Sequence, residues 1–258
     1  MCLILFAHRV VPGTPLIVAA NRDAHFNRPA ATAARWHDHP EILAGRDLQA
    51  GGTWLGVSTS GRFAALTNFR DPATHRDDAP SRGELVKAFL AGRMSASTYV
   101  EDIVREAIPY NGFCLLVWDG RALFFYSNRA QAPVEVGPGI HGLANHLLNT
   151  PWPKVVKGRA GLEQLTRAPF AFDPYLALLN DPTPAADCDR PQRGHDLERE
   201  RRHSALRILN PDYGTRCSTV LRITSAGTID FAERGFHSDG GSAGDVQYRL
   251  KARLPASV

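Results

Sequence analysis

The sequence has few of the features that mark a membrane-spanning or secreted chain. No stretch of 18 apolar residues occurs, which excludes a spanning helix of ordinary length. The apolar segment at residues 2–7 lacks a preceding basic region and a small-residue cleavage site, so no signal peptide is expected. The cysteines, Cys2, Cys114, Cys188 and Cys217, form no Cys-x-x-Cys pair. They are typical of free thiols, and we expect a cytoplasmic protein.

A strong charge surplus and the common cofactor motifs are also missing. The formal charge is only +4, and no basic run is interleaved with aromatic residues, so no nucleic-acid partner is expected. Residues 137–142 match Gly-x-Gly-x-x-Gly, but the Pro-broken segment after them offers no long helix for a dinucleotide. The pair His37 and His39 is typical of a solvated loop, and no metal is expected.

The composition is that of a chain with a sizeable core. Hydrophobic residues make up 43% of the 258 and charged residues 22%. Neither a repeat nor a convincing linker is visible, so residues 1–258 are predicted to form a single domain. The Gly- and Ser-rich sequence from about residue 236 predicts a flexible C-terminal tail.

The order of elements predicts an α+β fold rather than alternating βαβ units. Strand-like runs occupy residues 3–7, 16–20, 53–58, 63–68, 113–118, 122–126, 218–224 and 228–234, the last two as a closing hairpin. Helices are expected at 81–92, 95–106, 158–166 and 173–179, with a short charged helix following the loop after residue 181. Ser81 has the spacing of an N-cap, with Glu84 three residues later, and Pro151 and Pro153 should break the chain before the third helix.

Cys2 is the residue most suggestive of chemistry. If Met1 is removed, Cys2 carries both a nucleophilic sulfur and a free α-amine, and an amine with a pKa near 8 can serve as the base for the thiol. The alternative is a small buried residue at the start of a strand, since free cysteine is among the most buried residue types.

Six segments resemble the NRDE family, also called the transport and Golgi organisation family. The segments are residues 1–6, 19–23, 51–57, 65–70, 142–154 and 213–220, which contain Met-Cys-Leu-Ile-Leu-Phe, Ala-Ala-Asn-Arg-Asp, Gly-Gly-Thr-Trp-Leu-Gly-Val, Ala-Leu-Thr-Asn-Phe-Arg, Gly-Leu-Ala-Asn with Pro-Trp-Pro-Lys, and Tyr-Gly-Thr-Arg-Cys-Ser-Thr-Val. The resemblance spans about residues 1–223. The name-giving tetrapeptide ends in Glu, whereas this chain has Ala24 there.

A more distant similarity is to the cysteine N-terminal-nucleophile amidases, the penicillin V acylase and bile-salt hydrolase group. It implies a four-layer αββα sandwich with Cys2 as the nucleophile. Asp23 would orient the nucleophile and its amine, Asn68 and Asn145 would bind the developing oxyanion, and Arg216 would be a late active-site arginine. The resemblance further suggests substrate contacts from a second set of residues, Asn21, Arg22, Trp54, Phe69 and Arg70.

Each role has a structural alternative. Asn68 and Asn145 could close strand ends, and Arg22, Asp23 and Arg216 could form an ion-pair network. The leading hypothesis is a hydrolase or acyltransferase for a C–N amide or an acyl (thio)ester, with a small-molecule substrate and no required cofactor. The alternative is a carrier of haem, lipid or acyl-coenzyme A on the same fold, as family members have been connected with haem trafficking. A scaffold without activity is the third reading, and the oligomeric state stays open.

Overall fold

The computed structural model describes residues 2–186 and 197–252. Met1 and Cys188 lie outside these ranges, and so does the segment after residue 252. In the described ranges the chain folds into two antiparallel sheets and five α-helices, with a 3-10 turn at Pro72–Thr74. The strands are β1 Leu3–Val11, β2 Thr14–His25, β3 Ala30–Arg35, β4 Ile42–Asp47, β5 Leu55–Ser58, β6 Phe63–Asn68, β7 Phe113–Trp118, β8 Leu123–Ser127, β9 Val134–Glu135, β10 Gly139–Leu143, β11 Tyr213–Ile223, β12 Thr228–Phe236 and β13 Ser242–Lys251. The helices are α1 Gly83–Ala91, α2 Ala96–Glu106, α3 Pro153–Leu165, α4 Phe172–Leu179 and α5 Leu197–His203.

The two sheets stack face to face. The first sheet has the strand order β10-β1-β2-β11-β12-β13, and the second has the order β3-β4-β5-β6-β7-β8-β9. The apolar layer between them contains Phe6, Val18 and Leu221 from the first sheet and Phe63 and Leu116 from the second. Residues 3–8 of β1, residues 16–21 of β2 and all of β7 are buried, because these segments are covered on both faces, which accounts for their continuous apolar runs.

A helical layer covers the outer face of each sheet. Helices α1 and α2 pack on the second sheet through residues such as Phe89 and Val100. Helices α3 and α4 pack on the first sheet through Val155, Leu162 and Leu176. The sandwich therefore has the layer order αββα, which confirms the predicted fold class. No helix in the two described ranges is both long and apolar enough to cross a bilayer.

Three local predictions are corrected. The N-cap of α1 is Arg82, without a side-chain capping bond, so Ser81 does not cap the helix. Pro153 does not break a helix but begins α3, because the first helical position needs no N–H donor. The sequence after Phe236 is not a flexible tail as far as residue 251, since β13 pairs with β12 from Ser242 to Lys251. Its exposed, polar face reflects an edge strand, and this pattern resembles that of a loop in sequence.

Candidate functional site

A cavity of about 750 Å³ opens at one end of the layer between the sheets. Six of the ten predicted site residues line it: Cys2, Arg22, Asp23, Trp54, Asn68 and Arg216. The first sheet and the loop after β2 supply one wall, and the loops around residues 45–54 and 75–83 supply the other. The chemistry-bearing residues are therefore separated in sequence and meet only where the two sheets open.

The strand register explains how the two cavity thiols flank one guanidinium. Leu3 pairs with Asn21, and continuing that register by one residue sets Cys2 opposite Arg22. On the other side of β2, Cys217 pairs with Arg22. Alternation along the strands places all three on the face that bears the inter-sheet core. Cys2 is half-buried, and its thiol lies 3.8 Å from the main-chain oxygen of Asp23.

The Asp23 carboxylate is held on both oxygens from inside the protein. The Thr215 hydroxyl donates a hydrogen bond to its Oδ1 at 2.7 Å, and the Lys154 ammonium lies 3.9 Å from its Oδ2. Both charged side chains are buried, with exposed fractions of 0% for Asp23 and 1% for Lys154. A buried carboxylate needs a cation and hydrogen-bond donors to remain in this position. Lys154 therefore supplies a buried cation beside Asp23.

A β-bulge places Arg216. The β2–β11 register shifts between Thr215 and Cys217, so Arg216 is the extra residue of the bulge. Its guanidinium donates to the carbonyl oxygens of His25 (2.9 Å) and Arg28 (3.0 Å). Burial lowers the pKa of Arg216, and the nearby charge of Arg22 adds to this effect. Arg216 thus lines the cavity but fixes the loop after β2 rather than pairing with Asp23.

A buried carboxyl beneath Arg22 belongs to Glu233 of β12. Its Oε1 accepts a hydrogen bond from the Ala33 amide at 2.7 Å, which links the first sheet to β3 of the second. Burial raises the pKa of Glu233, although its hydrogen bonds and the charge of Arg22 act in the opposite direction. Burial and the neighbouring Glu233 also raise the pKa of the Cys217 thiol well above its ordinary value. Cys217 is therefore a poor nucleophile compared with a thiol in a more open position.

The second sheet supplies the opposite wall. Trp54 is half-buried against the inter-sheet core, and the Asn68 side chain is exposed at the end of β6. Arg82 enters the cavity from the start of α1, and its Nη1 donates to the carbonyl of Gly112 at 3.0 Å. Burial lowers the pKa of Arg82, and the charge of Arg28 acts in the same direction. The site is thus rich in arginine around Cys2.

Four predicted site residues do not line the cavity. Asn21 faces the helices, where its amide donates to Leu179 and Leu206 and accepts from Ser218. This arrangement contradicts a substrate contact from Asn21, because both ends of its amide are already used inside the protein.

Asn145 is buried with a left-handed φ of 56°, and its Nδ2 donates to the main-chain oxygen of Asn68 at 2.7 Å. That bond secures the end of β6, so the amide serves the strand end in this geometry. Phe69 packs on His146 with ring centroids 4.9 Å apart, and the Arg70 amide donates to the Asn145 carbonyl. Neither Phe69 nor Arg70 reaches the cavity, so their predicted substrate contacts are not supported.

Sequence reasoning missed Lys154, Glu233 and Arg82. Lys154 lies in the matched Pro-Trp-Pro-Lys segment. Its position directly after two prolines that mark a helix start was the feature that could have identified it. Glu233 and Arg82 carry no motif. Only the strand register and the packing of α1 bring them to the cavity.

The lining does not fit haem well. The cavity histidines are His25, His75 and His237, and the wall otherwise consists mainly of arginine, aspartate and small residues. A buried macrocycle needs broad apolar faces, which this wall provides only in part, through Trp54 and Phe236. Among the residues that the structure describes, no three His, Cys, Asp or Glu side chains converge as metal ligands.

Comparison with known proteins identifies relatives along most of the chain. A family model described as Transport and Golgi organisation 2 matches residues 1–238. The Transport and Golgi organization protein 2 homolog of Bos taurus is 37% identical over 256 residues, covering 91% of this chain and 92% of the relative. The Homo sapiens homolog is 36% identical over 259 residues with the same coverage.

A solved structure shares the layer architecture. A mutant of the conjugated bile acid hydrolase of Clostridium perfringens overlaps 100% of this chain and 99% of its own, with a TM-score of 0.50 and 10% identity. A Caenorhabditis elegans ortholog of N-acylethanolamine-hydrolyzing acid amidase has a TM-score of 0.43 and 12% identity, covering 85% of this chain and 92% of that one. At 10% identity, the similarity to the bile acid hydrolase shows only the fold. This fold is that of the N-terminal-nucleophile hydrolases. The chain belongs to the Transport and Golgi organisation 2 family.

Proposed function

We propose that the protein is an N-terminal-nucleophile cysteine hydrolase or acyltransferase that acts on an amide or an acyl (thio)ester. The observation that carries the proposal is the position of Cys2, half-buried in the wall of a large cavity and directly beside Asp23. If Met1 is removed, the backbone nitrogen of Cys2 becomes an α-amine. Continuing the β1–β2 register by one residue sets Cys2 opposite Arg22, so this amine would lie close to Asp23, the next residue of β2.

The proposed reaction needs only groups that the chain provides. The α-amine of Cys2 takes the thiol proton, and the sulfur attacks the carbonyl carbon of the substrate. The C–N or C–S/C–O bond then breaks, and the ammonium returns the proton to the leaving group. Water or a second acceptor releases the acyl group from the sulfur. Asp23 holds the amine in place, and Lys154 with Thr215 holds Asp23.

The oxyanion has candidate donors that differ in part from the expected ones. Asn68 lines the cavity with an exposed amide, whereas Asn145 uses its amide nitrogen to anchor the Asn68 main chain. Asn68 is therefore the candidate donor, and Asn145 supports it from behind. Removing a true oxyanion donor costs about 2.7–4 kcal/mol in transition-state stabilisation. The neighbouring Arg82 guanidinium could supply a further donor.

One solved neighbour supports an acyl-group chemistry without specifying the substrate. Its name describes a hydrolase of a conjugated bile acid. A carrier of haem or acyl groups is the rival function, and the arginine-rich wall favours an anion over an apolar macrocycle. A free Cys2 thiol also suits a reducing compartment, so a cytoplasmic location stays a prediction.

The test is a pre-steady-state assay with p-nitrophenyl acetate and with an N-acyl p-nitroanilide. We expect a burst of product equal to the amount of protein, lost in Cys2→Ala and retained in Cys114→Ala, whose thiol is buried away from the cavity. The absence of a burst in the native protein, or a burst that persists in Cys2→Ala, contradicts the proposed function. A carrier would bind its ligand without a burst.

A further inference from the structure

Lys154 occupies a position where a lysine is unusual. It is the second residue of α3, it is 1% exposed, and it is one of the largest fully buried side chains of the described chain. Lysine is almost never fully buried without a partner, because burying an ammonium costs several kcal/mol unless it is paired. A buried lysine at a helix start therefore points to a specific role for its charge.

The start of α3 fixes where this charge lies. Trp152 is extended at the N-cap, and Pro153 occupies the first helical position, where its ring sets φ. Val155 packs into the core between α3 and the first sheet. The Lys154 side chain is thereby directed under β2, where its ammonium lies 3.9 Å from Asp23 Oδ2.

Asp23 connects this cation to the nucleophile. Its carboxylate is 0% exposed and has Thr215 on the other oxygen, whereas its main-chain oxygen lies 3.8 Å from the Cys2 sulfur. Without Lys154, this carboxylate would lose one of its charged partners and would take up a proton more readily or move. Each of these outcomes changes the field at the nitrogen and sulfur of Cys2.

We propose that Lys154 is a positioning residue for the proposed reaction, acting on Cys2 through Asp23 without touching the substrate. It keeps in place the carboxylate that, on the proposed function, holds the α-amine of the processed chain. The inference rests on the proposed function, but its test uses the intrinsic reactivity of Cys2 and needs no substrate.

The experiment measures the rate of Cys2 alkylation by iodoacetamide at pH 7, followed by peptide mass mapping of the folded protein. Lys154→Met should slow the reaction by about 10-fold, because losing a cation leaves more negative charge near Cys2, which disfavours the reactive thiolate. Lys154→Arg keeps the charge and should remain within about threefold of the native rate. The control is Lys157→Met on the same helix, because Lys157 is 46% exposed and pairs with Asp181 instead. It should leave the rate unchanged.

A double-variant comparison separates positioning from simple loss of stability. In an Asp23→Asn background, the Lys154→Met change should have no further effect on the rate of Cys2 alkylation. If Lys154→Met alone does not fold, the comparison of Asp23→Asn with the double variant tests the proposal. A folded Lys154→Met protein with the native rate overturns the proposal, and so does a further loss in the Asp23→Asn background. Failure of the proposed function appears differently, as retained Met1 or as a wild-type Cys2 that no acyl probe modifies.

Discussion

The two halves of the sandwich, each a sheet with its own helices, differ in what they bury. Beneath α1 and α2 the interface is almost entirely apolar, and its main buried cation, Arg62, lies 3.8 Å over the Phe89 ring. Beneath α3 and α4 the interface adds a polar set to its apolar core, formed by Asn21, Asp23, Lys154, Thr215 and Ser218.

This difference separates stability from chemistry. The second half is stabilised by buried apolar surface, which does not require specific partners. Its core residues can therefore be exchanged as long as the total side-chain volume is kept. The first half contains charges and amides that are tolerable only when each partner is in place. These buried polar groups, whose burial is costly unless they are paired, lie around Cys2. The first half therefore positions the nucleophile, and the second half supplies the opposite wall with the candidate oxyanion donors Asn68 and Arg82.

The largest expected contrast is between thiols of the two halves. Burial raises the pKa of Cys114 in the second sheet to about 12, so only about one molecule in 10⁴ carries the thiolate at pH 8. Iodoacetamide should modify native Cys2 at least about 1,000-fold faster than Cys114, as timed peptide mass mapping would show. In denaturant both should react at similar rates. Similar alkylation rates of Cys2 and Cys114 in the native protein would contradict the conclusion that the accessible, reactive thiol belongs to the first half.

A truncation in the second half should destabilise without touching the site. Phe89 is fully buried between α1 and the sheet, so Phe89→Ala should lower the free energy of unfolding by about 3–5 kcal/mol. Denaturant titration measures the loss. Cys2 alkylation in the folded fraction should stay at the native rate, and a slower rate would show that the second half also positions Cys2.

Asn21 offers the corresponding change in the first half. Asn21→Ala leaves the Leu179 and Leu206 carbonyls and the Ser218 hydroxyl without their partner, which should cost about 1–3 kcal/mol. Because Asn21 does not line the cavity, KM for any substrate found should not change. A higher KM for Asn21→Ala, with an unchanged free energy of unfolding, would show that Asn21 contacts the substrate.

The smallest effect concerns acid stability in the first half. Burial opposes ionisation of Asp230, but hydrogen bonds from Arg222 and Arg249 outweigh it, so the pKa of Asp230 lies below its ordinary value. A depressed pKa gives stability that is complete above the unfolded value near 3.9 and is lost as the pH falls through the folded pKa. Asp230→Asn should therefore cost about 1 kcal/mol at pH 7 and little at pH 2 in chemical unfolding. An equal loss at both pH values would contradict this account.

Much of the fold could be predicted because strand and helix patterns are local. The runs at residues 113–118 and 122–126 were recognisable as apolar segments of strand length on either side of Asp119-Gly120, and the helix predicted at 95–106 is α2. The edge strand β13 was missed because exposed polar residues with glycine give no strand period. Strand β4 was missed as well, because its buried apolar run, Ile42 to Ala44, is only three residues long.

The site could be predicted only in part for a related reason. Cys2 and Asp23 were found because they lie in matched segments, and both line the cavity. The Lys154 partner and the Arg216 bulge depend on how β2, β11 and α3 meet, which a sequence does not display. Asn145 and Asn21 show the converse, since a matched segment can contain a residue whose side chain points away from the cavity.

The most direct test of the central claim is the intact mass of the purified native protein before and after reaction with a thiol-directed acylating probe. The account predicts a chain without Met1 that gains one acyl group, located at Cys2 and lost again by turnover, and no adduct in Cys2→Ala. A chain that retains Met1, or a processed chain whose Cys2 is not acylated, would contradict an N-terminal-nucleophile mechanism for this protein.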